Sequence, residues 1–485
     1  MSYKKALRTN YLCTMKTFYF SLCFLLFSIS GFAQSGNASF VSTTSLKLPD
    51  TKAIDSSNCD CKNEKTIENT HPLEAYTDKI SYAPGEVIKL YVHTLGSPLV
   101  VMLTHHLSKD VTIKTVNNVC AAKQNYTSCS FKYGCNWSPS LYLKLADDIE
   151  SGYYSLKVVG KNNVFYASFI IRPKTETLNK ILIVASTNTW QAYNTWGGAS
   201  FYKFFNENPC HIKFAEFVNL HRPNNETSPI NKFGAHLLNA ELFITRWLEQ
   251  KKFTYDVISD DDLDRDSTIL EKYKVVIFST HTEYWTANML QNVENYVNQK
   301  GNIMYLSGNG LYWKVTWQGD MMECRKLGEV HTQTGDIGGR WRDIGKPESA
   351  ILGVEYDNKG IATYAPFKVL LPNHWIFAST GVVQDQIFGQ QSSTGMKDET
   401  GASGHETDKV TSFSPSNILI LAHGMNPSMK DSTDFGAGGA DMTFYERPYG
   451  GAVFSAGSIS FGGSLSIDSV CSRITQNVLE NFLHR

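Results

Sequence analysis

His281 and Glu283, two residues apart, are the pair in this chain best suited to chemistry. An imidazole and a carboxylate at that spacing can ligate a metal or share a proton as an acid/base pair. Gly404-His405-Glu406-Thr407-Asp408 offers His, Glu and Asp again within five positions, with the same two uses. Ser307-Gly308-Asn309-Gly310 has the form of a sharp strand-to-helix turn, where the Asn309 amide can donate to a developing oxyanion. An Asn also stands in such turns simply because it tolerates a left-handed φ. G-x-S-x-G is absent and no Cys stands there, which argues against a Ser or Cys nucleophile at this turn. A fourth stretch, Ser186 to Ser200, carries Trp190, Tyr193 and Trp196 where a nucleotide fold would carry a glycine-rich phosphate loop. With no G-x-G-x-x-G or Walker pattern, nucleotide binding is disfavoured. His105, His106, His221, His236 and His423 lack a companion pattern and are expected to be structural.

These groups need strands to position them. The run from Lys274 to Thr280 is short, apolar and β-branched, as in a buried parallel strand, and such strands present ligand-binding residues at their carboxyl ends. Ile181–Ala185, Tyr255–Ile258 and Asn302–Ser307 read the same way. Helices are expected over 235–251 and 287–299, the second closed by Gly301, with Asp260–Asp266 an acidic loop. Later strands are expected at Asn417–Ala422 and Gly451–Ser455, and a last helix over 468–483. Strand–helix alternation on this scale predicts an α/β, doubly wound parallel sheet over residues 174–485, with a long loop around 390–404 near the site. Tyr193, His281, Glu283 and Asn309 would then meet at one carboxyl edge. Ahead of it, short alternating strands and turns such as Tyr82-Ala83-Pro84-Gly85-Glu86 predict an N-terminal β-sandwich domain over 73–173. Residues 35–72, rich in Ser, Thr, Asn and Asp, read as a linker.

The first 34 residues read as a signal peptide. Lys4, Lys5, Arg8 and Lys16 precede the apolar run from Thr17 to Phe32, and Gly31-Phe32-Ala33 offers cleavage geometry. Met15 is an alternative start to Met1. Export to the periplasm, cell surface or medium follows, with no membrane span after signal removal. A net charge of −1 in 485 residues points to neither nucleic acid nor anionic membrane. Export favours disulfides among Cys59, Cys61, Cys120, Cys129, Cys135, Cys210, Cys324 and Cys471, and the closeness of Cys120, Cys129 and Cys135 predicts a local bridge.

Thr187-Asn188-Thr189-Trp190-Gln191-Ala192-Tyr193-Asn194 with Trp196-Gly197-Gly198, the later His281-Thr282-Glu283-Tyr284-Trp285 and the Ser307-Gly308-Asn309 turn resemble the large (beta) subunit of N,N-dimethylformamidase over roughly residues 180–485. The resemblance implies a class I glutamine amidotransferase-like fold without its nucleophilic Cys. It implies iron held by two tyrosines and a glutamate, and hydrolysis of a small-molecule amide at its C–N bond. Tyr193 and Glu283 match the first tyrosine and the carboxylate. The second tyrosine is expected after an Arg-Pro pair, here Arg222-Pro223, where Asn224 stands instead. An amide is a poorer ligand for ferric iron than a phenolate, and Glu226 is the nearby carboxylate that would replace it. His281, Asn309 and Glu406 match residues beside the metal, near the substrate carbonyl and activating water. A small subunit partners the family enzyme, and self-association into a homo-oligomer is a further expectation. The alternative function is a non-catalytic or carbohydrate-binding surface protein on the same scaffold.

Overall fold

The computed structural model describes residue 61 and residues 64–174, 178–203, 214–231, 236–394, 400–430, 433–434 and 436–485. The signal peptide, both candidate starts, most of the linker, Cys59 and Cys210 lie outside them. The described chain is mixed α/β with several sheets.

At its centre runs a nine-stranded sheet. Its strands are β1 (Ile181–Ala185), β2 (Asp256–Ser259), β3 (Val275–Thr280), β4 (Asn302–Ser307), β5 (Phe367–Val369), β6 (Ile387–Phe388), β7 (Leu419–Gly424), β8 (Asp441–Glu446) and β9 (Ala452–Ser455). Their order is β2-β1-β3-β4-β9-β8-β7-β5-β6. The first five run parallel. From β9 onward every pairing is antiparallel. The expectation of a wholly parallel sheet is therefore corrected. After β4 the chain leaves the strand–helix rhythm, and the returning strands pair as neighbours without crossover helices.

Side chains of the parallel strands alternate between two buried faces. Ile181, Ile183, Val275 and Ile277 enter one core, with Leu242 and Trp247 of α2 (Leu238–Gln250) and Ile474 and Val478 of α4 (Ser469–His484). Leu182, Val184, Val276 and Phe278 enter the other, against Met289 and Val293 of α3 (Ala287–Asn298). Burial on both faces is why these strands read as continuous apolar runs.

Two local expectations change. Asp260–Arg265 is helical, because Ser259 and Asp262 form a reciprocal capping box and three acidic residues sit in its first turn. Beyond α3, the left-handed residue is Lys300 (φ 76°), not Gly301. Gly301 is needed for space: a Cβ there would lie 2.4 Å from the Tyr296 ring.

The N-terminal part holds two sheets over one core. A five-stranded sheet has the order Ser81–Tyr82, Val164–Ile171, Gly152–Val159, Leu99–His105, Val111–Val119, and a three-stranded sheet the order Leu73–Thr77, Val87–Thr94, Pro139–Lys144. Leu90, Val101, Leu156 and Phe169 meet in that shared core. Within the stretch read as linker, Thr66–Ile67 pairs with Tyr126–Thr127. That pairing brings Cys61 to Cys129, which form a disulfide, while Cys120 and Cys135 are free. The expected bridge among Cys120, Cys129 and Cys135 is thus corrected: a helical turn, Ser130–Tyr133, follows Cys129, and Cys135 is buried against Tyr76 and Trp137. Among the described residues no helix is long and apolar enough to cross a membrane.

Candidate functional site

The site begins where β3 breaks. Thr280 has φ 58°, a left-handed conformation that strains a β-branched residue, and it is buried. The kink turns the chain so that His281 and Glu283 lie inward, at 0% and 2% exposure. Tyr284 and Trp285, which follow, are buried as well.

His281 Nδ1 meets the Gly308 carbonyl at 3.0 Å, which fixes the ring. Its Nε2 faces Glu283 Oε2 at 3.0 Å, the Tyr193 hydroxyl at 3.1 Å and Glu406 Oε2 at 3.8 Å. The Tyr193 hydroxyl donates to Glu283 Oε2 at 3.1 Å, and the Tyr202 hydroxyl donates to Glu283 Oε1. Asn309, left-handed at φ 50°, donates Nδ2 to Glu406 Oε2 at 2.8 Å. Its backbone N–H donates to Asp408, which also accepts from the Tyr305 hydroxyl. Gly308 allows the β4 turn and the Glu406 segment to approach: a Cβ there would lie 2.6 Å from the Glu406 carbonyl and 2.7 Å from Ile459 N. Tyr193, His281, Glu283, Asn309 and Glu406 are therefore gathered into one cluster.

Asn224 is not part of that cluster. Its amide donates to the Trp190 carbonyl, and Glu226 accepts from Thr195. The second phenol at Glu283 belongs to Tyr202, whose ring lies 4.5 Å from that of Tyr193. The Arg222-Pro223 pair itself lies away from Glu283 and makes other contacts. Arg222, 1% exposed, donates to the carbonyls of Gln191, Trp196, Ala199 and Asn219. It thereby ties α1 (Thr187–Tyr193), which ends in Tyr193, to the segment leading to Tyr202. The Trp196 indole also donates to Glu74, so the N-terminal sheets hold this loop too.

Sequence reading missed two more neighbours. Lys326 lies over the Tyr202 ring at 3.6 Å and the Trp313 ring at 4.9 Å. His236 packs on Tyr193 (4.6 Å), His281 (5.4 Å) and His405 (5.4 Å), and both its ring nitrogens are buried without a partner. No spacing in the sequence marks these residues. His105, His106, His221 and His423 lie elsewhere, and His106, His221 and His423 hold hydrogen-bond partners there.

Charge in the cluster is arranged around His281. Burial alone would lower its pKa, but Glu283, Glu406 and the Gly308 carbonyl outweigh it and raise the imidazole to about 9. Burial pushes Glu283 up, yet His281, Lys326 and Tyr202 hold it below its ordinary value. Glu406 is raised by burial and by Glu283, against His281 and Asn309. Burial and the adjacent Glu283 carboxylate raise both phenols well above their usual range, although the 37% exposure of Tyr202 moderates the first effect. Two carboxylates with opposed shifts beside one imidazolium can divide anion and proton-carrier roles. Among the described residues no group of three His, Cys, Asp or Glu could by itself hold a metal ion.

The chain is similar to known proteins over most of its length. The family described as "N,N-dimethylformamidase beta subunit-like, C-terminal" matches residues 105–476. The N,N-dimethylformamidase beta subunits of Paracoccus aminophilus and of an Alcaligenes species are each 27% identical to the chain over 445 residues, covering 74% of this chain and 58% of theirs. The chain thus spans under two thirds of the length of those relatives. A solved structure of a ThuA-like protein from Parabacteroides merdae is 11% identical with a TM-score of 0.27, covering 57% of this chain and 78% of that one. A score that low carries no argument.

Proposed function

The chain belongs to the N,N-dimethylformamidase beta subunit-like family, and from that premise we propose that it is an exported, iron-dependent hydrolase of the C–N bond of a small amide. The observation that carries this reading is the pair of phenols, Tyr193 and Tyr202, on the two oxygens of one buried carboxylate, Glu283. Such hard oxygen donors suit ferric iron, and the orphaned nitrogens of His236 leave polar capacity beside them. Tyr193, Tyr202 and Glu283 are the ligand set. Binding would displace the phenol protons, whose raised pKa values make uptake favour higher pH. Iron held there supplies Lewis acidity toward the amide carbonyl.

The remaining roles fall to the chain's own groups. Glu406 takes the proton of attacking water: its raised pKa suits a carboxylate that must carry that proton, and Asn309 Nδ2 fixes its Oε2. The proton passes to the departing amine nitrogen from the same carboxyl. His281, oriented by the Gly308 carbonyl, holds Glu283 and Glu406 in register as an imidazolium. Asn309 also stands where its amide can orient the substrate carbonyl.

Three coarser features support the rest of the reading. Two sheets over one core support an N-terminal β-sandwich. The parallel half of the central sheet, covered on both faces, with a Ser307-Gly308-Asn309 turn where a nucleophilic Cys would stand, supports an amidotransferase-like scaffold. The Cys61–Cys129 disulfide agrees with an oxidising compartment. The relatives are named beta subunits, so a smaller second subunit is proposed as partner.

The test is metal analysis of the purified mature chain, with amine release from simple formamides as the activity readout. About one iron per chain is expected, lost in Glu283→Ala and lowered about tenfold or more in affinity by Tyr202→Phe, while Asn224→Ala retains it. Metal-free protein with an intact fold, or unchanged iron affinity in Tyr202→Phe, overturns the assignment.

A further inference from the structure

A cavity of about 730 Å³ lies between the N-terminal sheets, the Asp260–Arg265 helix and the face of α1 formed by Thr187, Asn188 and Gln191. Tyr193, His281, Glu283 and Glu406 do not line it. Its size falls within the range of small-molecule sites, about 300–1,000 Å³, and such sites favour junctions between substructures.

We propose that this cavity is a binding site for a neutral oligosaccharide. Cations in its walls are paired with nearby carboxylates, some on the same wall. Arg172 lies 3.8 Å from Glu86 and 3.7 Å from Asp262, Arg265 lies 2.9 Å from Asp261, and Lys272 lies 3.5 Å from Asp266. With each of these cations paired, they set up no net field to retain a phosphate or carboxylate. No three carboxylates among the described residues converge to cage a cation. What remains is a wall of alternating donors and acceptors, which suits vicinal hydroxyls that donate and accept at once.

Two observations point to a ligand rather than to solvent. Gln191 is 4% exposed, lines the cavity, and its Oε1 is buried with no hydrogen-bond partner. An acceptor left in that state is costly, and a sugar hydroxyl would satisfy it once the side chain turned Oε1 into the cavity. Trp317, partly buried, donates its indole N–H to Asn188 Oδ1 at 3.0 Å, which fixes the ring at the cavity wall. Tyr91 stacks on Tyr76 at 4.8 Å and adds a second held ring. Rigid aromatic faces beside polar groups match the apolar C–H faces and polar rims of sugar rings. Because Gln191 and Tyr193 share α1, a polymer seated here would anchor the protein without occupying the Glu283 cluster.

The experiment is calorimetric titration of the full mature chain with xylohexaose, cellohexaose, chitohexaose and mannohexaose, and with inorganic phosphate. At least one oligosaccharide is expected to bind, weakened about tenfold or more by Trp317→Ala and by Tyr91→Ala, and unchanged in Glu283→Ala. The two aromatic variants back each other up should one fail to fold. No binding at several millimolar of any of the four overturns the proposal, as does unchanged affinity in a folded aromatic variant. Displacement of the sugar by phosphate, or loss of binding in Glu283→Ala, also overturns it.

Discussion

Replacing Arg222 by Met tests how the site is held together. The guanidinium reaches Asn219 O at 3.0 Å, Trp196 O at 2.6 Å, Ala199 O at 3.1 Å and Gln191 O at 3.3 Å. Methionine fills similar space but donates nothing. The Gln191 carbonyl already accepts from Asn194 N, so it keeps a partner. The other three carbonyls lose a buried donor, each at about 1–3 kcal/mol, and relaxation toward solvent lowers their sum to about 3–5 kcal/mol. For a unit of this size that is a fall in melting temperature of about 3–6 °C by calorimetry. Arg222→Lys should recover less than half of it, since one ammonium cannot span carbonyls from four residues. The segment from α1 to Tyr202 should loosen as well, so iron retention falls in both variants. A melting temperature within about 2 °C of the parent for Arg222→Met would refute the clamp.

Two further perturbations read other parts of the frame. Burial raises the carboxyl of Glu241 from 4.5 to about 7, against the Tyr153 and Trp190 donors that hold it. Its folded pKa lies above the unfolded one, so the stability it contributes is complete below pH 4.5 and is lost as pH rises through about 7. Glu241→Gln, the isostere of the protonated form, should match the parent at pH 5 and exceed it at pH 9 by up to about 3 kcal/mol in denaturant unfolding; equal stabilities at pH 9 would exclude a buried carboxylate there. Gly308→Ala drives a Cβ into two backbone atoms of the Glu406 and Ile459 segments, at about 1–3 kcal/mol of overpacking. It should lower kcat by about tenfold or more with iron content intact, because Glu406 moves and the Tyr193, Tyr202 and Glu283 set does not; an unchanged kcat would show that Glu406 needs no such placement.

The elements that position the cluster were readable where burial on both sides makes strands uniformly apolar, as in Val275–Thr280 and Asn302–Ser307. The antiparallel half of the sheet was not, since pairing direction is set by chain return and leaves no mark on residue type. The acidic run Asp260–Asp266 misled because its charge hides a capping box, in which the deciding residue is Ser259 just before it. Thr280 illustrates the opposite limit: a β-branched residue argues for an extended strand, and only the fold as a whole holds it left-handed to deliver His281.

Tyr202 shows why the proposed ligand set resists linear reading. Arg222-Pro223 is a conspicuous pair, and the family resemblance implies a phenol beside it. Yet the guanidinium acts at a distance, on carbonyls from Gln191 to Ala199, to present a tyrosine twenty residues earlier in the chain. Glu283 accepts from Tyr193 and from Tyr202 on separate oxygens, so each phenol is placed by a different means: one by the end of a buried helix, the other by a loop that Arg222 and Glu74 tether. On the proposed ligand set, a departure at Asn224 leaves metal affinity unchanged, whereas a change at Arg222 lowers it without touching a ligand.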